Sequence, residues 1–145
     1  MKIFALHNRA VKHLITILTV AAFLTGCSGK QDAIVKAYNS MASAEQSYVT
    51  LYKSALQTDA FQGIKTATST YLRDVQSIDT SDCPDDFKQA MKSLESSLND
   101  INVYLSNINN IDDVDDARFG SLQDARLSAT VNIGSVAESH GLIIQ

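Results

Sequence analysis

The chain has little of what metal and nucleophile chemistry usually needs. Its 145 residues include two cysteines, three histidines, one proline and no tryptophan. Two of the histidines precede residue 27, so the rest of the chain offers one imidazole, that of His140. No CxxC, HExxH, Gly-rich phosphate loop or nucleophile motif occurs in the sequence. We therefore expect a protein that is not an enzyme and that holds no cofactor and no metal.

Positive charge is scarce as well. All sixteen acidic residues follow residue 27, but only nine of the twelve lysines and arginines do, so this part of the chain has a formal net charge of −7. Binding to phosphate backbones needs clustered lysine and arginine, and no such cluster is present. We therefore do not expect this protein to bind nucleic acid.

The N-terminus is the most informative part of the chain. Lys2, Arg9 and Lys12 make it positive, and residues 14–24 form an apolar stretch interrupted only by two threonines. Eleven residues are too few for a membrane-spanning helix, which needs ~20 apolar residues. The pattern is typical of a secretory signal peptide that ends at a small-residue cleavage site.

Leu24-Thr25-Gly26-Cys27 resembles the lipobox of bacterial lipoproteins. The resemblance covers about the first 27 residues. It implies that residues 1–26 are a signal peptide removed by a signal peptidase of type II, and that Cys27 carries a diacylglyceryl thioether and usually a third acyl chain. Residues 27–145 would then be a lipid-anchored domain. An uncleaved anchor helix, or an ordinary signal peptide followed by a chance cysteine, is the alternative.

The lipid has consequences for location. One fatty chain gives marginal membrane binding, whereas two or more anchor a protein stably, at ~0.8 kcal/mol per buried CH₂. Ser28 follows Cys27, where in Gram-negative lipoproteins an aspartate would favour retention in the inner membrane. The resemblance thus implies the outer membrane, facing the periplasm, and a Gram-positive cell surface stays open. A lipidated Cys27 also leaves Cys83 without an intramolecular disulfide partner.

Four stretches carry apolar residues at steps of three and four, which indicates amphipathic helices. They cover about residues 29–56, 60–78, 84–108 and 113–141. The third is the most regular, with Phe87, Met91, Leu94, Leu98, Ile101, Leu105 and Ile108 in step. The fourth is weaker because Arg126 falls on its apolar seam, and it begins either near Asp113 or only after Ser121. Short connections favour antiparallel neighbours, so the sequence predicts an all-α, up-down-up-down four-helix bundle.

Glu45 and Arg126 both interrupt apolar seams of this bundle. Antiparallel pairing of the first and fourth helices places Glu45 opposite residue 127, within one turn of Arg126. We expect a partly buried ion pair that fixes the register of the two helices, which is the better-attested use of such pairs. A polar site inside the bundle, or two solvated side chains, are the alternatives.

Four other features of the sequence bear on its chemistry. His140 is expected to interact with the dipole of its helix. Met41 lies ~13 Å away from it along the bundle, so the two cannot share a metal or haem, and Met91 fails in the same way. Surrounding aspartates should raise the pKa of Cys83. The acidic run Asp112–Asp116 lacks the order of an EF-hand loop, so calcium binding stays open beside a solvated loop or a contact surface for a basic partner. The five tyrosines are expected to line the core with their hydroxyls at its edge.

These observations together favour a non-catalytic module that binds another cell-envelope protein, of the accessory, exclusion or immunity type. The alternative is a helical bundle that binds a small apolar ligand in its core, which requires a cavity of several hundred Å³ there. An enzyme would have to use Glu45, Arg126 and nearby tyrosines.

Overall fold

The computed structural model describes residues 29–58 and 60–144. The predicted signal peptide 1–26 and the predicted lipidation site Cys27 lie outside these residues. The described part consists of four helices and contains no strand, which confirms the prediction of an all-α bundle. The helices are α1 (Gly29–Gln57), α2 (Phe61–Gln76), α3 (Asp85–Ser106) and α4 (Asp116–Ser139), with a 3₁₀ turn at Ile111–Asp113. None of the described helices combines the length and the apolar character needed to span a membrane.

Neighbouring helices run in opposite directions. Gly63, near the start of α2, lies against Ala55 near the end of α1, while Tyr71 farther along α2 bonds to Glu45 farther back along α1. The other neighbouring helices are antiparallel as well. Hydrogen bonds join α2 to α3 by Lys65–Ile108 and Gln76–Glu95, and α3 to the two ends of α4 by Asp86–His140 and Tyr104–Asp115. Those between α4 and α1 are Gln31–His140 and Gln123–Tyr48.

One end of the bundle collects the beginning of α1, the α2–α3 loop and the end of α4; we call it the Gly29 end. The side-chain amide of Gln31 donates to the backbone carbonyl of His140 over 3.3 Å. The Nε2 atom of His140 in turn lies 2.9 Å from the Asp86 carboxylate at the start of α3. These contacts fix the positions of α1, α3 and α4 relative to one another along the bundle axis.

The core follows the period of the sequence. Every residue of the regular α3 pattern is buried, and Phe87, Leu94, Leu98 and Ile101 are 0 % exposed. Burying one such side chain contributes ~1.5–3 kcal/mol. Apolar residues from all four helices join this core, so the helical period of 3.6 residues accounts for most of what is buried.

The start of α4 differs from both positions predicted for it. The helix begins at Asp116 because the carboxylate of Asp115 caps it, accepting hydrogen bonds of 3.0 Å from the backbone N–H groups of Ala117 and Arg118. A carboxylate at this position satisfies amide groups that have no partner within the helix. Neither Asp113 nor Ser121 starts the helix.

Two helical glycines predict opposite effects of an added methyl group. A Cβ atom at Gly120 would meet nothing within 4 Å, whereas one at Gly63 would lie 2.7 Å from the Cβ of Ala55. Gly120→Ala should raise the free energy of unfolding by ~0.5–1 kcal/mol through helix propensity. Gly63→Ala should lower it, because overpacking costs ~1–3 kcal/mol. Urea unfolding of residues 27–145 carrying Cys27→Ser measures both; two shifts of the same sign would contradict the packing.

Candidate functional site

The ion pair expected between α1 and α4 is present in the structure. The Nη1 atom of Arg126 lies 2.6 Å from Oε1 of Glu45. The two partners differ in their access to water, because the side chain of Arg126 is 3 % exposed and that of Glu45 is 19 % exposed. The arginine is thus a core residue, and the carboxylate reaches it from the edge of the core.

Three further side chains complete what we call the polar cluster: Glu45, Tyr48, Tyr71, Gln123 and Arg126. Tyr71 donates its hydroxyl hydrogen to Oε2 of Glu45. The Nε atom of Arg126 donates to Gln123 over 3.1 Å, and the amide of Gln123 donates to the Tyr48 hydroxyl over 3.3 Å. The guanidinium carbon of Arg126 lies 5.1 Å from the centre of the Tyr48 ring, which stacks on Tyr71 at 4.9 Å. Each of the five side chains therefore contacts at least one other member.

The cluster lies where the backbones of two neighbouring helices pack least closely, between α1 and α4. Large side chains fill the wider space. Glu45 and Tyr48 stand three residues apart on α1, and Gln123 and Arg126 stand three residues apart on α4, so each pair shares one helix face. The sequence reasoning missed Gln123 and Tyr71. The three-residue spacing between Gln123 and Arg126 could have indicated that Gln123 lies on the same helix face as Arg126. Nothing in the sequence distinguishes Tyr71 from the other tyrosines.

Electrostatics and burial keep Arg126 charged and the two tyrosines of the cluster neutral. Burial by itself would lower the pKa of Arg126, but the Glu45 charge, the neighbouring Tyr48 and Tyr71 and the hydrogen bond to Glu45 together outweigh it, and the pKa is raised. Burial raises the pKa of Tyr48, and burial together with the Glu45 charge raises that of Tyr71 well above its usual value. Both phenols therefore stay protonated near neutral pH. They serve as hydrogen-bonding groups, and the charge of Arg126 is matched by that of Glu45.

Tyr52 stands next to the cluster without joining it. Its ring centre lies 5.5 Å from that of Tyr48, and its residue is 1 % exposed. Its buried hydroxyl makes no hydrogen bond to any described part of the chain. The expectation that the tyrosine hydroxyls lie at the edge of the core is therefore wrong for Tyr52, whose hydroxyl lies inside it.

Tyr52 and Tyr71 predict opposite responses to the loss of a hydroxyl. An orphaned buried hydroxyl costs ~1–3 kcal/mol, so Tyr52→Phe should leave the free energy of unfolding unchanged or raise it. Tyr71→Phe removes a bond to a charged group and should lower it by ~1.5–3 kcal/mol. Urea unfolding of the soluble Cys27→Ser domain compares the two. A loss of stability in Tyr52→Phe equal to that in Tyr71→Phe would show that the Tyr52 hydroxyl has a partner.

The single histidine after residue 27 bonds to a carboxylate. His140 occupies the C-cap position of α4, and its Nε2 atom lies 3.0 and 2.9 Å from the two carboxylate oxygens of Asp86. The hydrogen bond from His140 lowers the pKa of Asp86. Within residues 29–58 and 60–144, no group of three or more His, Cys, Asp or Glu side chains is placed to hold a metal ion.

Cys83 is a buried thiol in the α2–α3 loop, 3 % exposed. Burial raises its pKa, and the charges of Asp79 and Asp82 raise it further. The sequence predicted a raised pKa for Cys83 from the neighbouring aspartates, whereas in the structure burial of the thiol is the larger cause. A raised pKa and a covered sulfur both oppose thiolate reactivity.

A surface groove of about 670 Å³ lies between α1 and the end of α2. It is open to solvent and lined mainly by polar side chains, among them Lys36, Ser40, Ser43 and Asp74. The groove therefore differs from the apolar core cavity that binding of a small apolar ligand would require.

Comparison with family models, with curated proteins and with solved structures found no match to this chain.

Proposed function

We propose that this chain is a bacterial envelope lipoprotein whose helical bundle, held by the lipid on Cys27, binds another cell-envelope protein without catalysing a reaction. Accessory, exclusion and immunity factors are the classes that suit its size. The carrying observation is the lipobox Leu24-Thr25-Gly26-Cys27, preceded by a positive segment and an apolar stretch. In this proposal residues 1–26 are the signal peptide of an up-down-up-down bundle that stands on the outer membrane and faces the periplasm.

The polar cluster is built as a structural network, which favours a non-catalytic role over the enzyme alternative. Catalysis needs polar groups that converge on a space where a substrate can sit. In the cluster the guanidinium of Arg126 is bonded to Glu45 and Gln123, and the second oxygen of Glu45 accepts from Tyr71. Their hydrogen bonds join helices to one another, which is the role of a structural network.

The geometry of the bundle suggests which surface faces the partner. A helix with the 29 residues of α1 is ~43 Å long at 1.5 Å per residue. Its beginning follows Cys27 directly, so its far end stands farthest from the membrane. The acidic run Asp112–Asp116 lies at that far end, where Asp113 and Asp116 are exposed. We propose this end as the contact surface for a basic region of the envelope partner.

Lipidation is tested by growing cells that express the chain with radiolabelled palmitate. From the unmodified gene we expect a labelled protein whose intact mass lacks residues 1–26, and from Cys27→Ser an unlabelled protein that keeps residues 1–26. A chain that keeps its signal peptide and takes up no label would overturn the lipoprotein assignment.

Partner binding is tested by crosslinking in intact cells at native expression, followed by affinity recovery and mass spectrometry. We expect one specific envelope protein with the lipidated chain and its loss with Cys27→Ser. Asp113→Asn/Asp116→Asn should weaken its recovery, whereas Asp100→Asn, an exposed acid on α3, should not. Recovery of no envelope protein would argue against the binding role while leaving lipidation untouched.

A further inference from the structure

The last described residues of the chain, 142–144, follow α4 and return onto the bundle; we call them the tail. Gly141 has a φ of +89°, a left-handed conformation that glycine adopts without strain. The N–H groups of Gly141 and Leu142 donate to the carbonyls of Glu138 and Ala137 over 2.9 and 3.1 Å, as is usual where a helix ends at such a glycine. These bonds reverse the chain, so the tail runs back along α4.

The tail also reaches α1. The Cδ1 atom of Ile144 lies 3.5 Å from the position that a Cβ atom would take at Gly134, and the Tyr38 hydroxyl of α1 lies 3.8 Å from the same point. At the start of the tail, the Gln31 amide of α1 donates to the carbonyl of His140. Three extended residues cover ~10 Å, which is also the rise of seven helical residues. The tail therefore passes along α1 from the position of Gln31 to that of Tyr38.

Side chains of the tail alternate between the core and solvent. Leu142 is 4 % exposed and Ile143 is 60 % exposed, and Ile144 is partly buried against the core. Leu142 and Ile144 thus add apolar contacts at the Gly29 end between α1 and α4, the two neighbouring helices whose backbones pack least closely. In the middle of the same seam the polar cluster joins the two helices.

The tail beyond Leu142 is held by its side chains. Ile143 and Ile144 make no backbone hydrogen bond to any described residue, and Gly141 gives the chain a point about which it can turn. A segment with few buried apolar contacts and no backbone bonds to the rest of the fold opens at a lower free energy than the fold as a whole. The tail can therefore leave the bundle without the four helices unfolding.

We propose that the tail is a strap that closes the α1–α4 seam at the Gly29 end, and that its release opens this end while the rest of the bundle stays folded. Release takes Leu142 and Ile144 out of the core and gives water access to Tyr38, which is 2 % exposed in the closed form. The bond between Glu45 and Arg126, about two turns farther along α1, keeps the middle of the seam closed. This opening depends neither on a lipid nor on a partner.

Hydrogen exchange followed by mass spectrometry tests the strap in the chain produced from its complete gene and purified in detergent. Ile144→Ser removes a partly buried side chain of the tail, and Ile143→Ser makes the same change at the exposed neighbouring position. Deletion of residues 142–145 removes the tail entirely. We expect Ile144→Ser to speed the exchange of amides 34–41 of α1 and 130–138 of α4 severalfold, and the deletion to speed it further. Ile143→Ser should match the parent, and amides of α2 and of residues 94–105 should keep their rates in every variant.

Three results would overturn the strap. Equal exchange rates in Ile144→Ser and Ile143→Ser would mean that the partly buried side chain does not hold the seam. Faster exchange confined to the last turn of α4 would mean that the tail caps its own helix and does not secure α1. Faster exchange in all four helices would mean that the Gly29 end does not open separately from the rest of the bundle. Each of these results leaves the lipoprotein assignment and partner binding untouched.

Discussion

Glu45→Gln should lower the free energy of unfolding of the domain by about 3–5 kcal/mol. The substitution leaves the Arg126 guanidinium, whose side chain is 3 % exposed, charged and without its counter-ion. Removing one partner of a buried pair is costly because the remaining charge can neither reach water nor lose its proton. Small domains are stable by ~5–15 kcal/mol, so a large fraction of the total would be lost.

The reverse substitution should cost less. Arg126→Gln leaves the Glu45 carboxylate, whose side chain is 19 % exposed, with the Tyr71 hydrogen bond and partial access to water. Glu45→Gln combined with Arg126→Gln should be less harmful than Glu45→Gln alone, because no unpaired charge stays in the core. This ordering distinguishes a buried ion pair from ordinary loss of packing, which would make the double substitution the worst of the three.

Urea unfolding of the soluble Cys27→Ser domain, followed by circular dichroism, measures this series. Glu138→Gln is the matched control, because Glu138 is exposed on α4 and has the same change of charge; it should stay within ~0.5 kcal/mol of the parent. A loss from Glu45→Gln no larger than that from Glu138→Gln would mean that Arg126 is compensated by something other than Glu45.

Leu98→Ala should have the second large effect, a loss of about 2–5 kcal/mol in the free energy of unfolding. Leu98 is 0 % exposed and lies at the middle of the α3 apolar seam, so the truncation removes buried methyl groups and leaves a cavity among four helices. The surrounding side chains relax only partly, because their rotamers are already set by close packing.

Val103→Ala on the same helix is its control. Val103 is 50 % exposed, so its truncation should change stability by no more than ~0.5 kcal/mol. Chemical denaturation of both variants, with unchanged denaturant slopes as the sign of two-state unfolding, makes the comparison. Equal losses at the two positions would mean that burial does not govern the stability of this helix.

The helices were predictable to different degrees, and the reason is visible in their residues. Apolar residues recur along α3 without interruption, so the helical period alone identified most of its buried face. Ala90, Ser97 and Tyr104 are buried beside this series and were not part of it. In α4 the seam contains Arg126, a charged residue that is 2 % exposed. Hydropathy treats such a residue as a surface position, and the α4 pattern was correspondingly weak. The start of α4 at Asp116 depends on which of several adjacent aspartates caps it, a choice made by backbone geometry.

The polar cluster was predictable in part. The antiparallel level of α1 and α4 follows from helix lengths and short connections, and it brought Glu45 and Arg126 together. The roles of Gln123 and Tyr71 were not accessible in the same way, because a hydrogen bond depends on how far each helix is rotated about its axis. The Tyr71 hydroxyl on α2 meets the Glu45 carboxylate, whereas the Tyr52 hydroxyl on α1 meets no partner among the described residues.

The sequence by itself determined the helical class, the antiparallel register and the resemblance to a lipoprotein signal, because these depend on residue order, spacing and a short contiguous motif. Tertiary structure decided which tyrosine bonds to Glu45 and which aspartate caps α4. These outcomes arise from four helices packing at once, since the position and rotation of each helix are set by contacts with residues that are distant in the chain.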